Sequence, residues 1–290
     1  MRTRNIFILF TMLALHLSAC TDIEDGTTDI DSWPAINEYT LAHPCMLHTA
    51  ADLSYVASKL TVAPWSEGYD KLKNSGYSYA GYVPTPQEVL GRMDQGNWAS
   101  KFPEWWNNYT YFYKDAAAAY QLALRWKLEG DVACGQTAVK ILNAWAETCK
   151  GLVRVKSLAN DRTYDANGEI ADPNEYLISN NIPDPNLYLI PIQAHQWANA
   201  AELLRDYNGW DRNDFEKFKT WMKDTFYSVS NMFLKNHNGG QGNMHYWLNW
   251  DLAQMTSILS IGILCDDNVM INQAIVYFKN EEGRYKEAGN

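Results

Sequence analysis

The stretch that decides the fold runs from Tyr109 to Cys149: YTYFYKDAAAAYQLALRWKLEGDVACGQTAVKILNAWAETC. Within it Tyr109, Phe112, Tyr113, Ala116, Tyr120, Ala123 and Leu124 recur at spacings of three and four, which is one apolar stripe on an α-helix. Gly130 suits the end of that helix, and Asp131 suits the cap of the next one. Val132, Ala138, Ile141, Leu142, Trp145 and Cys149 then form a partner stripe. Two long helices joined by Glu129-Gly130-Asp131 have to run antiparallel, as a helical hairpin.

The design repeats downstream. Leu189, Ile192, Trp197, Ala200, Ala201 and Leu204 form a stripe, with Pro191 near its first turn. Asn208-Gly209 breaks it. Asp211 to Asp214 then resembles a capping box with Asp in the Glu role, ahead of Phe215, Phe218, Trp221, Met222, Phe226, Val229 and Phe233. A third pair runs from Trp247 to Leu264, with Asp266-Asp267 as a cap before Val269, Ile271, Ile275 and Phe278. A further pair is expected between residues 50 and 93. Lys150 to Asn186 reads as a long irregular segment, and no alternating strand pattern of useful length appears. Tandem antiparallel pairs predict an all-α fold, an incomplete (α/α) toroid or solenoid of helix hairpins.

Composition narrows the function. The chain has 290 residues, 47% of them hydrophobic, and a net charge of −10. A chain of that size and apolar content buries a core, which excludes a wholly disordered protein. The acidic balance argues against a nucleic-acid partner, whose phosphates need a basic face. Twelve Trp and 18 Tyr are more aromatic surface than a core alone asks for, and suit the stacking of sugar rings. An acidic chain that binds an acidic glycan must do so through a local cluster of amide and N–H donors.

The N-terminus reads as an address. Arg2 and Arg4 precede an apolar run from Ile6 to Leu15, too short to span a bilayer. It ends in Leu17-Ser18-Ala19-Cys20, which resembles a bacterial lipobox with Cys20 as the lipidated residue. The acidic stretch Thr21 to Asp25 is similar to those of surface-exported lipoproteins of Bacteroidetes. The expected organisation is a lipoprotein signal peptide at 1–20, a tether at 21–40 and a helical domain at 41–290. The expected location is periplasmic or on the cell surface, as an outer-membrane lipoprotein that meets the membrane only through its lipid.

Of the remaining cysteines, Cys134 and Cys149 sit fifteen residues apart on one expected helix, about 22 Å by helical rise and beyond disulfide reach. There is no Cys-x-x-Cys or His-x-x-x-His spacing, so no metal and no cofactor are assigned, and free thiols are expected. His43-Pro44-Cys45-Met46 reads as structural.

Chemistry concentrates between Asn236 and Asp251, where a glycine-rich turn enters a helix N-terminus. Free N–H groups and the positive dipole end there suit a carboxylate. Asn243, His245 and Tyr246 add an amide donor, a base and a phenol. That set suits β-elimination at a uronic acid. Donors quench the sugar carboxylate, a His or Tyr withdraws the adjacent proton, and a Tyr or water protonates the leaving oxygen. Trp105, Trp106, Asn108 and Tyr109 open another helix as a sugar platform with amide donors. Gln193 and His195 start a third, and Trp247 adds a further contact.

The segment Asn243 to Trp250 resembles the motif of the alginate lyase family, Asn-Asn-His-Ser-Tyr-Trp followed by another Trp. Asn243 falls on the second Asn, Tyr246 and Trp247 on Tyr-Trp, and Trp250 on the last Trp. Met244 occupies the His column and Gly242 the first Asn, so His245 fits with a shift of one residue. Asp115 to Leu124, Glu129 to Asp131 and Ile141 to Trp145 are similar to the family's first long hairpin, and Ala198 to Trp210 to its next. The resemblance spans Leu47 to Phe278. It implies an incomplete (α/α) toroid and a metal-free polysaccharide lyase with an acidic polysaccharide substrate. In that family an Asn neutralises the uronate carboxylate, the role implied for Asn243. It also implies a later helix pair carrying a Tyr general acid, so this chain is expected to be a C-terminally shortened member. The rival expectation is a non-catalytic glycan-binding surface lipoprotein.

Overall fold

The computed structural model describes residues 38–91, 108–152, 189–235 and 248–279. In chain order these form α1 (Ala50–Ala57), α2 (Trp65–Lys73), β1 (Val89–Leu90), α3 (Tyr109–Glu129), α4 (Val132–Thr148), β2 (Gly151–Leu152), α5 (Ala194–Leu203), α6 (Arg212–Met222), α7 (Ser228–Lys235), α8 (Leu248–Cys265) and α9 (Asn268–Lys279). The fold is all-α. The strands are two residues each and pair in parallel, too short for any alternation to show. Among the described residues no helix is long and apolar enough to cross a membrane.

Local chemistry sets the helix ends. Gly130 closes α3 at φ 75°, a left-handed conformation that a β-carbon would strain. Asp131 opens α4 by accepting the Cys134 N–H at 3.1 Å. Asp211 caps α6 through the N–H groups of Asn213 and Asp214. Asp214 does not complete a box here; its carboxylate turns to Lys217 and Asn143 instead. A five-residue π turn, Lys223–Tyr227, joins α6 to α7 without a break in helicity. Asp267 caps α9 by accepting from Val269 and Met270. Thr49 and Asp52 form a reciprocal capping box on α1.

The helices stand in two rows. α3, α5 and α8 pack side by side, and each lies against its own hairpin partner. The second row is α4, α6 with α7, and α9. Trp210 Nε1 donates to Asn143 Oδ1 at 2.8 Å, and Trp221 Nε1 to the Cys149 carbonyl at 3.0 Å, which joins α4 to the α6 hairpin arm. Tyr227 donates to Gln273 at 2.8 Å, which joins that arm to α9.

Between the rows lies an aromatic core. Phe112 on α3 stacks on Trp197 of α5 at 5.1 Å and on Phe226 of the π turn at 4.9 Å, with Trp145 of α4 edge-on at 5.5 Å. Trp145, Trp197, Trp210 and Trp221 are all buried. These four tryptophans therefore serve packing, where each ring pair adds about 1 kcal/mol beyond its buried area. Asp115 on α3 is also fully buried. It accepts from Tyr82 Oη, Thr85 N and Trp145 Nε1, each at 2.7 Å, and so ties the segment before β1 to the first hairpin.

Two details differ from the sequence pattern. On α9 the buried face is Met270, Ile271, Ala274 and Tyr277, while Val269 and Phe278 are exposed. α8 and α9 cross closely at Gly262, where an added β-carbon would lie 2.8 Å from Met270 Cβ; that contact sets the phase. Val132, in the first turn of α4, is also exposed. Ahead of α1, the Tyr39 N–H donates to Asn268 Oδ1 at 3.0 Å.

The cysteines among the described residues are free: Cys134 and Cys149 are buried, Cys45 and Cys265 partly so. Burial pushes the Cys134 and Cys149 thiols up to about 12, which leaves them protonated and unreactive.

Candidate active site

The first row is parallel. At its start the Tyr113 hydroxyl of α3 donates to the Leu189 carbonyl, just before α5. At its finish Lys127 pairs with Asp206 at 2.5 Å, and Trp126 meets Tyr207 edge-on at 4.8 Å. Likewise Arg205, just after α5, donates to the Leu264 carbonyl at the end of α8 at 2.6 Å, while the 3-10 turn Pro191–Gln193 packs on α8. The N-termini of α3, α5 and α8 therefore share one end of the molecule. Each brings the partial positive charge of a helix N-terminus. Together these helix dipoles make that end attractive to an anion.

Four of the sequence candidates are described at this end. Asn108 and Tyr109 begin α3, and Gln193 and His195 begin α5. Leu248, the first residue of α8, follows the candidate segment directly. Trp105, Trp106, Asn243, His245, Tyr246 and Trp247 themselves lie outside the described residues, as does Cys20.

Asn108 is buried, and its amide is committed to protein. Oδ1 accepts the Gly91 N–H at 3.0 Å; Nδ2 donates to the Val89 carbonyl at 2.8 Å and to Gln87 at 3.3 Å. It holds β1 against the start of α3. Tyr109 is half-buried and packs edge-on to Tyr113 at 5.1 Å. Gln193 is half-buried in the turn that leads into α5.

His195 is the most informative. Its Nδ1 lies 2.8 Å from the Ile192 carbonyl. A carbonyl only accepts, so Nδ1 carries the proton and Nε2 keeps its lone pair. Burial lowers the ring's pKa below the ordinary histidine value, against a smaller opposing effect of the Ile192 bond. The product is a neutral imidazole with a fixed tautomer and a basic nitrogen that has no partner among the described residues. That is the form a general base needs. Asn199, one turn on, donates to the His195 carbonyl at 2.7 Å and accepts the Leu47 N–H at 3.2 Å, which holds this turn of α5 in place. Sequence pattern marked His195 as a substrate contact; its basicity depends on a carbonyl three residues back, which spacing alone does not reveal.

Residues 58–290 match the family model for alginate lyase. The chain belongs to the alginate lyase family. No curated protein and no solved structure matches it. As a family member the protein is a polysaccharide lyase, and an acidic polysaccharide is the substrate this implies. The shared end of α3, α5 and α8 suits a lyase of this family, because the substrate's carboxylate is the group that has to be neutralised.

Two other features of this alginate lyase family member lie away from that end. A groove of about 570 Å³ runs on the second row between α4 and α6, lined by Lys150, Glu216, Lys217, Thr220 and Asp224 among others. Its charges are mixed, with no excess of donors for a polyanion. A cluster of His43, Cys45 and Glu202 lies near the opposite end. Sequence reading missed it because Glu202 is 159 residues from His43.

Proposed function

We propose that this lyase cleaves an alginate-like, uronic-acid glycan by β-elimination at the shared end of α3, α5 and α8. The observation that carries the reading is the junction at His195: a neutral imidazole with a free Nε2, at the N-terminus of the central helix of the row. The helix N-termini and the Asn243 amide quench the uronate carboxylate, so that charge can build on it as the adjacent C–H bond breaks. His195 Nε2 takes that proton. Tyr246 protonates the leaving glycosidic oxygen, and the C–O bond breaks to give an unsaturated uronate. Trp105, Trp106, Tyr109, Gln193, His245 and Trp247 hold the flanking sugars. The two rows form part of an incomplete (α/α) toroid, whose open side admits the chain.

The test is incubation with alginate, and in parallel with glucuronan and chondroitin, followed by ultraviolet absorbance of the unsaturated product. Absorbance rises with at least one of them. His195→Asn lowers turnover by about 10²- to 10⁴-fold, and Asn243→Ala abolishes it, both with little change in melting temperature. Binding of these polymers without any rise in absorbance overturns the reading. A full loss in His245→Asn with activity kept in His195→Asn moves the base to His245.

We propose further, from the lipobox-like Leu17-Ser18-Ala19-Cys20, that the protein is periplasmic or on the cell surface, held at the outer membrane through a lipid on Cys20. Cys20→Ala then moves it from the membrane to the soluble fraction of cells.

A further inference from the structure

The segment from residue 38 to 48 runs across the first row as a strap, from the α8–α9 corner to the middle of α3 and α5. Tyr39 N–H reaches Asn268 before α9, Leu47 N–H reaches Asn199 of α5, and His48 Nε2 lies 2.5 Å from the Tyr120 hydroxyl of α3. In the middle of the strap, His43 Nδ1 lies 2.5 Å from Glu202 Oε1, and Cys45 Sγ lies 3.8 Å from that nitrogen and 4.0 Å from that oxygen. One nitrogen, one sulfur and one carboxylate oxygen thus converge within 4.8 Å of one another.

We propose that His43 Nδ1, Cys45 Sγ and Glu202 Oε1 form a binding site for a thiophilic divalent cation of the zinc class, which staples the strap to α5. Three features point to it. The first is the donor set. Thiolate, imidazole and carboxylate together select zinc-class ions, and not calcium or magnesium, which take oxygen.

The second is distance. Bonds of about 2.3 Å to sulfur and about 2.0 Å to nitrogen or oxygen give tetrahedral edges of about 3.5 Å. The two edges that involve Cys45 lie within about half an ångström of that. The His43–Glu202 edge is a hydrogen bond in the metal-free protein, and it lengthens by roughly 0.8 Å when the cation takes the proton's place.

The third is the surrounding support. The other ring nitrogen, Nε2, lies 2.7 Å from Asp266 Oδ1, the carboxylate partner that fixes the ring of a metal-bound histidine. The other Glu202 oxygen accepts from Arg205 Nε at 2.9 Å, so Oε1 is left to face the strap. Glu202 is buried, while His43 and Cys45 are half-buried, which leaves a route for an ion and a water as fourth ligand.

The exchange balances: the hydrogen held between His43 Nδ1 and Glu202 Oε1 and the Cys45 thiol proton leave to solvent as one divalent ion takes up the three donor atoms.

Cobalt(II) titration of chelator-treated protein tests this. A thiolate-to-cobalt charge-transfer band grows to one equivalent, zinc displaces it, and zinc raises the melting temperature. Cys45→Ser loses the band, while Cys265→Ser keeps it. Asp266→Asn keeps the band but weakens cobalt binding by about 10- to 100-fold. Absence of the band in the parent protein overturns the proposal, as does a band that survives in Cys45→Ser. The melting curve of metal-free Cys45→Ser shows that the variant is folded; should it not fold, His43→Gln replaces it, with the same loss of band expected. These readouts are independent of lyase activity.

Discussion

At the scale of single residues, Asp115 carries the first hairpin's register. It is a fully buried carboxylate whose partners are neutral donors: a phenol, an indole, a backbone N–H and a threonine hydroxyl. Asp115→Asn keeps the volume but turns an NH₂ group toward donors. The expected loss is roughly 3 kcal/mol, the cost of leaving one or two buried donors unmet. Denaturant unfolding measures it, and a variant as stable as the parent would mean that Asp115 is not the tie. His195 makes the other residue-scale prediction. Its lowered pKa means that the folded protein holds the ring neutral where the unfolded chain still binds a proton. Stability contributed by the neutral ring is therefore present above the ordinary histidine value of about 6.5 and is lost as pH falls below it. The acid limb of kcat/KM follows the same ring and lies below that value. A limb at or above 6.5 would assign the base elsewhere.

At the scale of elements, what was legible in the sequence was what is local. Gly130, Asp131, Asp211 and Asp267 mark helix ends because a cap is made within four residues of chain. Stripe phase was less secure. On α9 the apolar residues Val269 and Phe278 fit a helical period as well as Met270 and Tyr277 do, and only the close crossing at Gly262 decides between them. The candidate active-site residues were legible as types beside helix starts. That three such starts share one end, and that Asn108 is committed to β1, depend on contacts tens of residues apart. The crossing can be tested. Gly262→Ala puts a methyl group 2.8 Å from Met270 Cβ and 3.1 Å from the Ile271 backbone nitrogen. A backbone cannot turn aside as a side chain can, so α8 and α9 must part. Overpacking of this kind costs about 1–3 kcal/mol. Thermal melting reads it, and an unchanged midpoint would show that the hairpin is looser than its geometry implies.

At the scale of the whole molecule, the parallel row separates two jobs by its own length. α3 has 21 residues, about 30 Å from end to end. One end gathers helix N-termini and the proposed chemistry. The other is fastened by the strap and by Arg205, which reaches Glu202 at 2.9 Å, Asp266 at 3.1 Å and the Leu264 carbonyl at 2.6 Å, and lies over the Phe215 ring at 5.4 Å. Burial works to raise the Asp266 carboxyl, but the hydrogen bond to His43 and the charge of Arg205 together hold it below its ordinary range. This contribution is present above the unfolded aspartate value of about 4 and fades as pH falls through the folded one. Arg205→Met keeps a long apolar stem over Phe215 but removes the fork that links α5 to the α8–α9 corner. Leaving the buried Glu202 with one less partner costs about 3 kcal/mol, which for a domain of this size lowers the melting midpoint by roughly 6–12 °C. Because the change sits ten residues beyond His195, about 15 Å along the axis of α5, kcat/KM on a uronate polymer well below the midpoint stays within about twofold of the parent, which is less than 0.5 kcal/mol of barrier. The pair of measurements is what decides. A lower midpoint with intact turnover places fastening and chemistry at opposite ends of the row, whereas a fall in both would mean that the alignment of the N-termini is itself set by the strap end.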